Sequence, residues 1–211
     1  MGFSEPERMT SRTEDWVRGL LRDTGALLEG HFQLSSGLHS AGYVQCALLL
    51  QHPRLARQVG ERLAEKLTHL SPESVLAPAL GGLLIGHEIA AALDVPFRFT
   101  ERVGERMALR RGFAFDSGER VVLVEDVVTT GRSCLEAMSV AEEKGARIVG
   151  AGSILDRTGG VNPFGLPYES LLALGVDTYT VEACPLCARG EPVFKPGSRP
   201  AKPIVSSQRH S

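Results

Sequence analysis

Two adjacent acids, Glu125 and Asp126, follow four apolar residues at 121–124 and precede a turn of small polar residues at 129–133. Carboxylates at the end of a buried strand can accept hydrogen bonds from the two hydroxyls of a sugar. Backbone N–H groups at the start of the next helix lack intrahelical partners and attract phosphate. Gly131 lets the backbone approach a ligand closely. The segment therefore predicts a site for a ligand that carries both a ribose and a phosphate.

Each half of this segment also has an ordinary structural interpretation. Buried strands often end in acids, and a Thr-Gly turn before a helix is usual capping. The contiguous nonet at 125–133 is far more restrictive, so we favour the ligand-binding interpretation. The nonet is not a Walker A loop, because the Lys of GxxxxGK[ST] is missing, and no GxGxxG follows the first strand.

Arginines mark two further candidate segments. The stretch 101–111 contains Arg102, Arg106, Arg110 and Arg111 between two predicted strands, and a solvated surface connection is the structural alternative. Arg157 follows another predicted strand, where its planar guanidinium suits a carboxylate ligand. A buried structural pair with Asp156 is the alternative for that arginine. For the stretch 101–111 alone we would favour the surface connection, but its place just before 125–133 favours a functional role, and we favour a functional role for Arg157 as well.

Cys184 and Cys187 have the CxxC spacing of a zinc half-site or a redox pair. One CxxC supplies only two ligands, so Cys46, Cys134 or histidines would have to come near. Such half-sites are more often structural or vestigial, and we accordingly predict no metal-ligating residues. The candidate histidines, His31, His39, His52, His69 and His87, are scattered along the chain.

Alternating apolar strands and amphipathic helices must position these residues. This alternation predicts an α/β fold with a mostly parallel sheet covered by helices on both faces. Strands are expected at 75–78, 95–99, 121–124, 148–155, 168–174 and 178–181, and helices at 13–28, 53–70, 82–93 and 133–144. We expect a single domain over 1–211, with loose ends at about 1–12 and 190–211.

The bulk composition is that of a soluble globular protein. The 211 residues are 43% hydrophobic and 23% charged, with a formal net charge of −2. That charge offers no general attraction to nucleic acid or to a membrane surface. No apolar run approaches the roughly 20 residues of a membrane span, and the first residues lack the apolar segment of a signal peptide. We expect a cytoplasmic protein without nucleic-acid or membrane partners, and four cysteines do not indicate a disulfide framework.

Residues 125–133 resemble the motif with which type I phosphoribosyltransferases bind 5-phosphoribosyl 1-pyrophosphate (PRPP). Three other segments are similar to the orotate phosphoribosyltransferase family: 32–40 with Tyr43, the loop at 77–82, and Asp156 with Arg157. The resemblance spans about residues 15–190. It implies the type I phosphoribosyltransferase fold, in which helices flank the central sheet and a small hood, here about 13–46, covers the site. It also implies transfer of the phosphoribosyl group of PRPP to orotate in pyrimidine biosynthesis.

The resemblance also implies roles for individual residues. PRPP would be bound by Glu125, Asp126, Val127, Val128, Thr129, Thr130, Gly131, Arg132 and Ser133. Thr129 and Arg157 would bind orotate together with backbone groups at 36–40. The catalytic residues would be Asp126, with Arg102 and Arg106 on a mobile loop that reaches pyrophosphate, in the same subunit or across a homodimer. Mg²⁺, held mainly by pyrophosphate oxygens and ribose hydroxyls, is the expected cofactor.

The chain departs from familiar family members at several lysines. Enterobacterial-type enzymes carry Lys at the positions of Ser35, Gly81, Val103 and Arg106. The departures resemble a branch of the family with an arginine-rich loop and a C-P-L-C segment. Two alternatives stay open at this point: a purine-base phosphoribosyltransferase of the same fold, and a non-catalytic regulator that senses PRPP. The regulator should carry a basic DNA-binding module, and the sequence shows none.

Overall fold

The computed structural model describes residues 5–34, 37–175 and 177–195, with side chains described from Arg12 onward. The chain begins with helix α1 (Glu5–Asp23), strands β1 (Leu27–Gln33) and β2 (His39–Val44), and helices α2 (Cys46–Leu50) and α3 (Pro53–Leu67). There follow β3 (Ser74–Pro78), α4 (Gly82–Leu93), β4 (Phe97–Val103), β5 (Arg106–Leu109), β6 (Arg120–Val128), α5 (Arg132–Glu143), β7 (Arg147–Asp156), β8 (Tyr168–Ala173), β9 (Thr178–Tyr179) and α6 (Pro185–Ala188).

These strands form two sheets. The larger has the order β5-β4-β3-β6-β7-β8, in which only the edge strand β5 runs antiparallel to its neighbour. The smaller, β1-β2-β9, is antiparallel throughout and forms the hood. The predicted α/β fold, with a mostly parallel central sheet and a hood, is confirmed.

Strand β6 shows why the large sheet needs helices on both faces. Val122 and Val124 are completely buried on one face, among side chains of α3 and α4. Val121 and Leu123 are completely buried on the other face, against α5. Because successive side chains of a strand point to opposite faces, an unbroken apolar run is what a strand buried on both sides requires.

The first helix differs from its predicted bounds of 13–28. It begins at Glu5, so residues 5–12 are helical rather than a loose leader, and it ends at Asp23. Gly25 has φ +67°, a conformation that ends helices and favours glycine. Leu27 and Leu28 fit the helical period but belong to β1.

The arginine-rich stretch at 101–111 also differs from the expected loop. Most of it lies in an antiparallel hairpin of β4 and β5, with Glu101 opposite Ala108 and Val103 opposite Arg106. Its charged side chains obscured the strand pattern, because an edge hairpin exposes much of its surface.

The chain's last described segment returns to the hood. Phe194 donates its N–H to the carbonyl of His31 at 2.7 Å and accepts a hydrogen bond from the N–H of Gln33 at 2.7 Å. The predicted loose end at 190–211 therefore begins with ordered contacts, and 196–211 lie outside the described residues. None of the helices that the structure describes is long and apolar enough to cross a bilayer.

Candidate active site

The carboxyl ends of β3, β6 and β7 meet at one edge of the large sheet. Val128 at the end of β6 lies opposite Asp156 at the end of β7, and the N–H of Arg157 donates to the carbonyl of Val128 at 2.8 Å. The turn after β6 and the arginine after β7 are thereby held side by side. This edge is where open α/β sheets bind ligands.

Glu125 and Asp126 lie within the last part of β6, close to each other. Asp126 Oδ1 accepts a hydrogen bond from the N–H of Val127 at 2.8 Å, and Glu125 Oε1 accepts one from the N–H of Asp126 at 3.2 Å. Burial raises the pKa of both carboxyls, and the neighbouring Asp126 charge raises that of Glu125 further. Two acids so placed favour a ligand that brings hydroxyl donors or a cation.

The loop after β3 touches these acids through Gly81. A Cβ atom on Gly81 would lie 2.6 Å from Asp126 Oδ1 and 3.1 Å from Glu125 Oε1. Only a residue without a side chain leaves the carboxylates where they are. A side chain at position 81 would therefore meet the acid pair unless the carboxylates moved.

The turn after β6 forms a cradle at the start of α5. Gly131 has φ +71°, and a Cβ atom there would lie 2.8 Å from Pro163 Cγ, so both its conformation and its surroundings require glycine. The first N–H groups of α5 have no intrahelical acceptors and point out of the helix. They border a cavity of about 190 Å³ lined by Glu125 and residues 127–134. This arrangement suits a phosphate.

A second cavity of about 300 Å³ lies between this edge and the hood. Its walls are Gln33, Leu34, Tyr43, Val44 and Gln45 from the hood side, and Asp126, Val127, Thr129, Thr130 and Arg157 from the sheet. Thr129 and Arg157 therefore face the same space as Asp126. Burial raises the pKa of Tyr43. The cavity has the size and mixed lining of a site for a small polar ring.

Arg157 is half-buried in that cavity. Its Nε is buried without a hydrogen-bond partner among the described residues, and burial lowers its pKa. Asp156 does not pair with it: Asp156 Oδ1 accepts the N–H of Thr158 at 2.7 Å. A buried guanidinium that lacks an internal partner is suited to bind an anionic ligand.

Arg102 contacts α5 beside the cradle. Arg102 Nη2 is 2.7 Å from Glu136 Oε2 on α5, and Arg132 Nε is 3.0 Å from Glu136 Oε1. The hydrogen bond from Arg132 lowers the pKa of Glu136, and Arg102 adds to this. Arg106 is exposed at the start of β5.

The remaining loop arginines, Arg110 and Arg111, both meet Glu101, at 3.8 and 2.8 Å. These two arginines therefore form ion pairs within the hairpin.

The structure thus gathers residues 125–133 and Arg157 around one edge of the sheet. Ser35 and Ser36, from the hood segment expected near the base, lie outside the described residues. Four residues that line the larger cavity had no role predicted from the sequence: Gln33, Leu34, Tyr43 and Gln45. Tyr43 was detectable, because it belongs to the hood motif that carried the resemblance.

Comparison with known proteins agrees with this site. A family model described as "Phosphoribosyl transferase domain" matches residues 47–163. The match contains the loop with Gly81, the acid pair, the cradle and Arg157, so the fold and the site define a phosphoribosyltransferase. Orotate phosphoribosyltransferase from Thermotoga maritima is 49% identical over 186 residues, covering 88% of this chain and 100% of that protein. Orotate phosphoribosyltransferase from Carboxydothermus hydrogenoformans is 48% identical, covering 85% and 95%. The chain belongs to the orotate phosphoribosyltransferase family.

Solved structures of similar proteins agree. Orotate phosphoribosyltransferase from Aeropyrum pernix has a TM-score of 0.62 and 25% identity, covering 75% of this chain and 93% of that one. The enzyme from Mycobacterium tuberculosis, solved with inorganic phosphate, has a TM-score of 0.58 and 28% identity, covering 78% and 95%.

Proposed function

We propose that this chain transfers the 5-phosphoribosyl group of PRPP to orotate, forming orotidine 5′-phosphate and pyrophosphate in pyrimidine biosynthesis. Relatives named for this activity match nearly the whole chain. For individual residues, the proposal rests on Arg157, whose Nε is buried without a hydrogen-bond partner among the described residues and which lines one cavity with Asp126 and Thr129.

The cradle and the acid pair hold PRPP in this proposal. The N–H groups and hydroxyls of Thr129, Thr130, Gly131, Arg132 and Ser133 surround the 5′-phosphate, which the start of α5 also favours electrostatically. Glu125 and Asp126 accept hydrogen bonds from the ribose hydroxyls. Val127 and Val128 contribute backbone groups. Because Glu125 to Ser133 are contiguous, the phosphate and the diol are fixed relative to each other.

Orotate occupies the larger cavity. Its carboxylate pairs with Arg157, whose fork of donors matches two carboxylate oxygens. Thr129 contacts the ring from the cradle side, and the hood covers the ring from the other side. Filling the cavity in this way places N1 of orotate beside the ribose that Asp126 holds.

The reaction breaks the bond from C1 of the ribose to a pyrophosphate oxygen and forms a bond from C1 to N1 of orotate. Pyrophosphate leaves with the electron pair, and N1 gives up its proton. The protein contributes chiefly by positioning both substrates and by neutralising charge on the leaving group. The carboxylates of Glu125 and Asp126 fit a magnesium-dependent site, since Mg²⁺ prefers oxygen ligands and substrate phosphates. When bound, Mg²⁺ supplies further positive charge at the pyrophosphate.

Arg102 and Arg106 are proposed to bind pyrophosphate. An ion pair with Glu136 holds Arg102 beside the cradle. Breaking this partly exposed pair, which would free Arg102 for pyrophosphate, costs about 0–1 kcal/mol. Arg106 is exposed on the hairpin, so it can serve the site of a second subunit. A homodimer in which the hairpins act across the interface accommodates both arginines.

A turnover assay with several bases tests the proposal. Absorbance changes are recorded with PRPP and Mg²⁺ plus orotate, adenine, hypoxanthine or guanine. Of the four bases, we expect only orotate to give product, because only orotate brings a carboxylate to Arg157. Product with a purine base would favour the purine-specific alternative. PRPP binding without turnover of any base would favour a regulator.

A further inference from the structure

The two cysteines of the CxxC segment lie against two histidines of the hood. Cys184 Sγ and Cys187 Sγ are 3.5 and 3.6 Å from His31 Nε2, and Cys187 Sγ is 3.2 Å from His39 Nδ1. His31 Nε2 and His39 Nδ1 are 2.8 Å apart. The four candidate ligand atoms all lie within 4.8 Å of one another.

These distances match the edges of a tetrahedron around one ion. Bonds of about 2.3 Å to sulfur and about 2.05 Å to nitrogen separate a tetrahedral sulfur–nitrogen pair by about 3.5 Å and a nitrogen pair by about 3.3 Å. The three measured sulfur–nitrogen distances fall within a few tenths of an ångström of that value. The two histidine nitrogens, 2.8 Å apart, are about 0.5 Å closer than in that tetrahedron.

The hydrogen bonding of His31 orients its ring for metal binding. Its Nδ1 lies 2.9 Å from the carbonyl oxygen of Glu191. A carbonyl only accepts, so Nδ1 carries the proton, and a neutral ring then has its lone pair on Nε2. That atom is the one that faces both sulfurs and His39. A backbone carbonyl bound to the second nitrogen is the usual support of a metal-ligating histidine.

Burial also distinguishes this cluster from incidental proximity. His31, His39 and Cys184 are at most 4% exposed, and neither cysteine is in a disulfide. Two imidazoles and two sulfurs packed together in a protected space provide a donor set that is complete for a closed structural site.

We propose that His31, His39, Cys184 and Cys187 bind one structural Zn²⁺ ion. Tetrahedral coordination by two thiolates and two imidazoles favours zinc over magnesium or calcium, which prefer oxygen ligands. This ion is separate from the Mg²⁺ that accompanies PRPP. The proposal revises the sequence-based expectation of no metal-ligating residues.

The ion would join the hood to the chain's last described segment. His31 lies on β1 and His39 on β2, the two hood strands on either side of Leu34, which lines the larger cavity. Cys184 immediately precedes α6 and Cys187 lies within it, and the chain beyond them pairs with β1 through Phe194. Zinc therefore adds a cross-link where backbone hydrogen bonds already hold the two segments together.

Metal analysis of the full chain tests the site directly. The protein is purified without an affinity tag or chelator, under reducing conditions, and its metals are measured by mass spectrometry. We expect one zinc per chain, and Cys184→Ser or Cys187→Ser should lower retention by about tenfold or more. Cys134→Ser and His52→Ala are matched controls outside the cluster and should keep the zinc.

A spectroscopic experiment on the unsubstituted chain covers the case in which a variant fails to fold. Zinc is removed with a zinc-selective chelator in excess Mg²⁺, and Co²⁺ is then added. We expect the intense visible bands of tetrahedral cobalt together with a thiolate-to-cobalt charge-transfer band. A chain without bound zinc that also gives no such spectrum would overturn the proposal, as would stoichiometric iron or nickel at the cluster.

A consequence for catalysis rests on the proposed function. Removing zinc should raise KM for orotate more than KM for PRPP, because the hood covers the base and not the 5′-phosphate. Metal content is measured independently of turnover. Zinc binding in a chain without orotate activity would therefore contradict the proposed function and leave the metal site standing.

Discussion

Replacing Arg157 with alanine tests the orotate-binding role in depth. Arg157 Nε is buried without a partner among the described residues, so the substitution removes no internal ion pair. In the proposed complex the guanidinium makes charge-assisted hydrogen bonds to the orotate carboxylate. Such bonds contribute about 1.5–3 kcal/mol, which corresponds to a roughly 10- to 150-fold rise in KM for orotate. KM for PRPP should change by less than about threefold, since PRPP is held by other groups.

The assay follows the fall of orotate absorbance while each substrate is varied in turn. Arg147→Ala is the matched control, because Arg147 begins the strand that Arg157 follows and lies exposed at the opposite edge of the sheet. That control should leave both constants unchanged. Arg157→Lys should fall between wild type and alanine, since a point charge replaces a planar fork. Equal increases in both constants for Arg157→Ala would refute the reasoning and make Arg157 a structural arginine.

Three further substitutions test other parts of the site. Gly81→Ala should raise KM for PRPP, because its Cβ would lie 2.6 Å from Asp126 Oδ1. Gly19→Ala is the control, because a Cβ there meets nothing within 4 Å, and it should leave KM unchanged. Equal KM values for the two variants would show that Gly81 does not position the acid pair. Arg102→Gln should lower kcat while Glu136→Gln preserves it, since only the arginine reaches pyrophosphate. Equal losses of kcat in the two variants, measured in steady-state assays, would indicate that Arg102 and Glu136 form a purely structural ion pair. At pH values above about 5, Glu125→Gln should raise the melting temperature while weakening PRPP binding, because a carboxyl whose folded pKa is raised destabilises the fold when it ionises. The gain in melting temperature should vanish at lower pH, where the carboxyl is protonated in both states. A lower melting temperature for the variant at neutral pH would contradict this.

Local sequence patterns were enough to predict most of the fold and the proposed phosphate site. The apolar run at 121–124 predicted a central strand, and the following nonet placed acids, turn and helix start in one contiguous unit. Arg157 could be added because Asp156 and Arg157, at the end of the next strand, resemble the orotate-contacting pair of the family. Helix α4 has the bounds that its periodicity predicted, Gly82–Leu93.

Features that depend on distant contacts could not be predicted. His31 and Cys184 are 153 positions apart, and only the return of the chain past β9 brings them together. The close approach of Gly81 to Asp126 likewise depends on the pairing of β3 with β6. Charged side chains in the hairpin of β4 and β5 masked its strands, since an edge hairpin needs little apolar surface.

The central claim is that the cradle and the acid pair hold PRPP together. Isothermal titration of PRPP and Mg²⁺ into wild type and Asp126→Asn measures this most directly. We predict that wild type binds PRPP and that this binding requires the 5′-phosphate of the ligand. The affinity of Asp126→Asn for PRPP should be weaker by roughly 10-fold or more, while the variant keeps the melting temperature of wild type. Equal PRPP affinity in the two proteins would contradict the account.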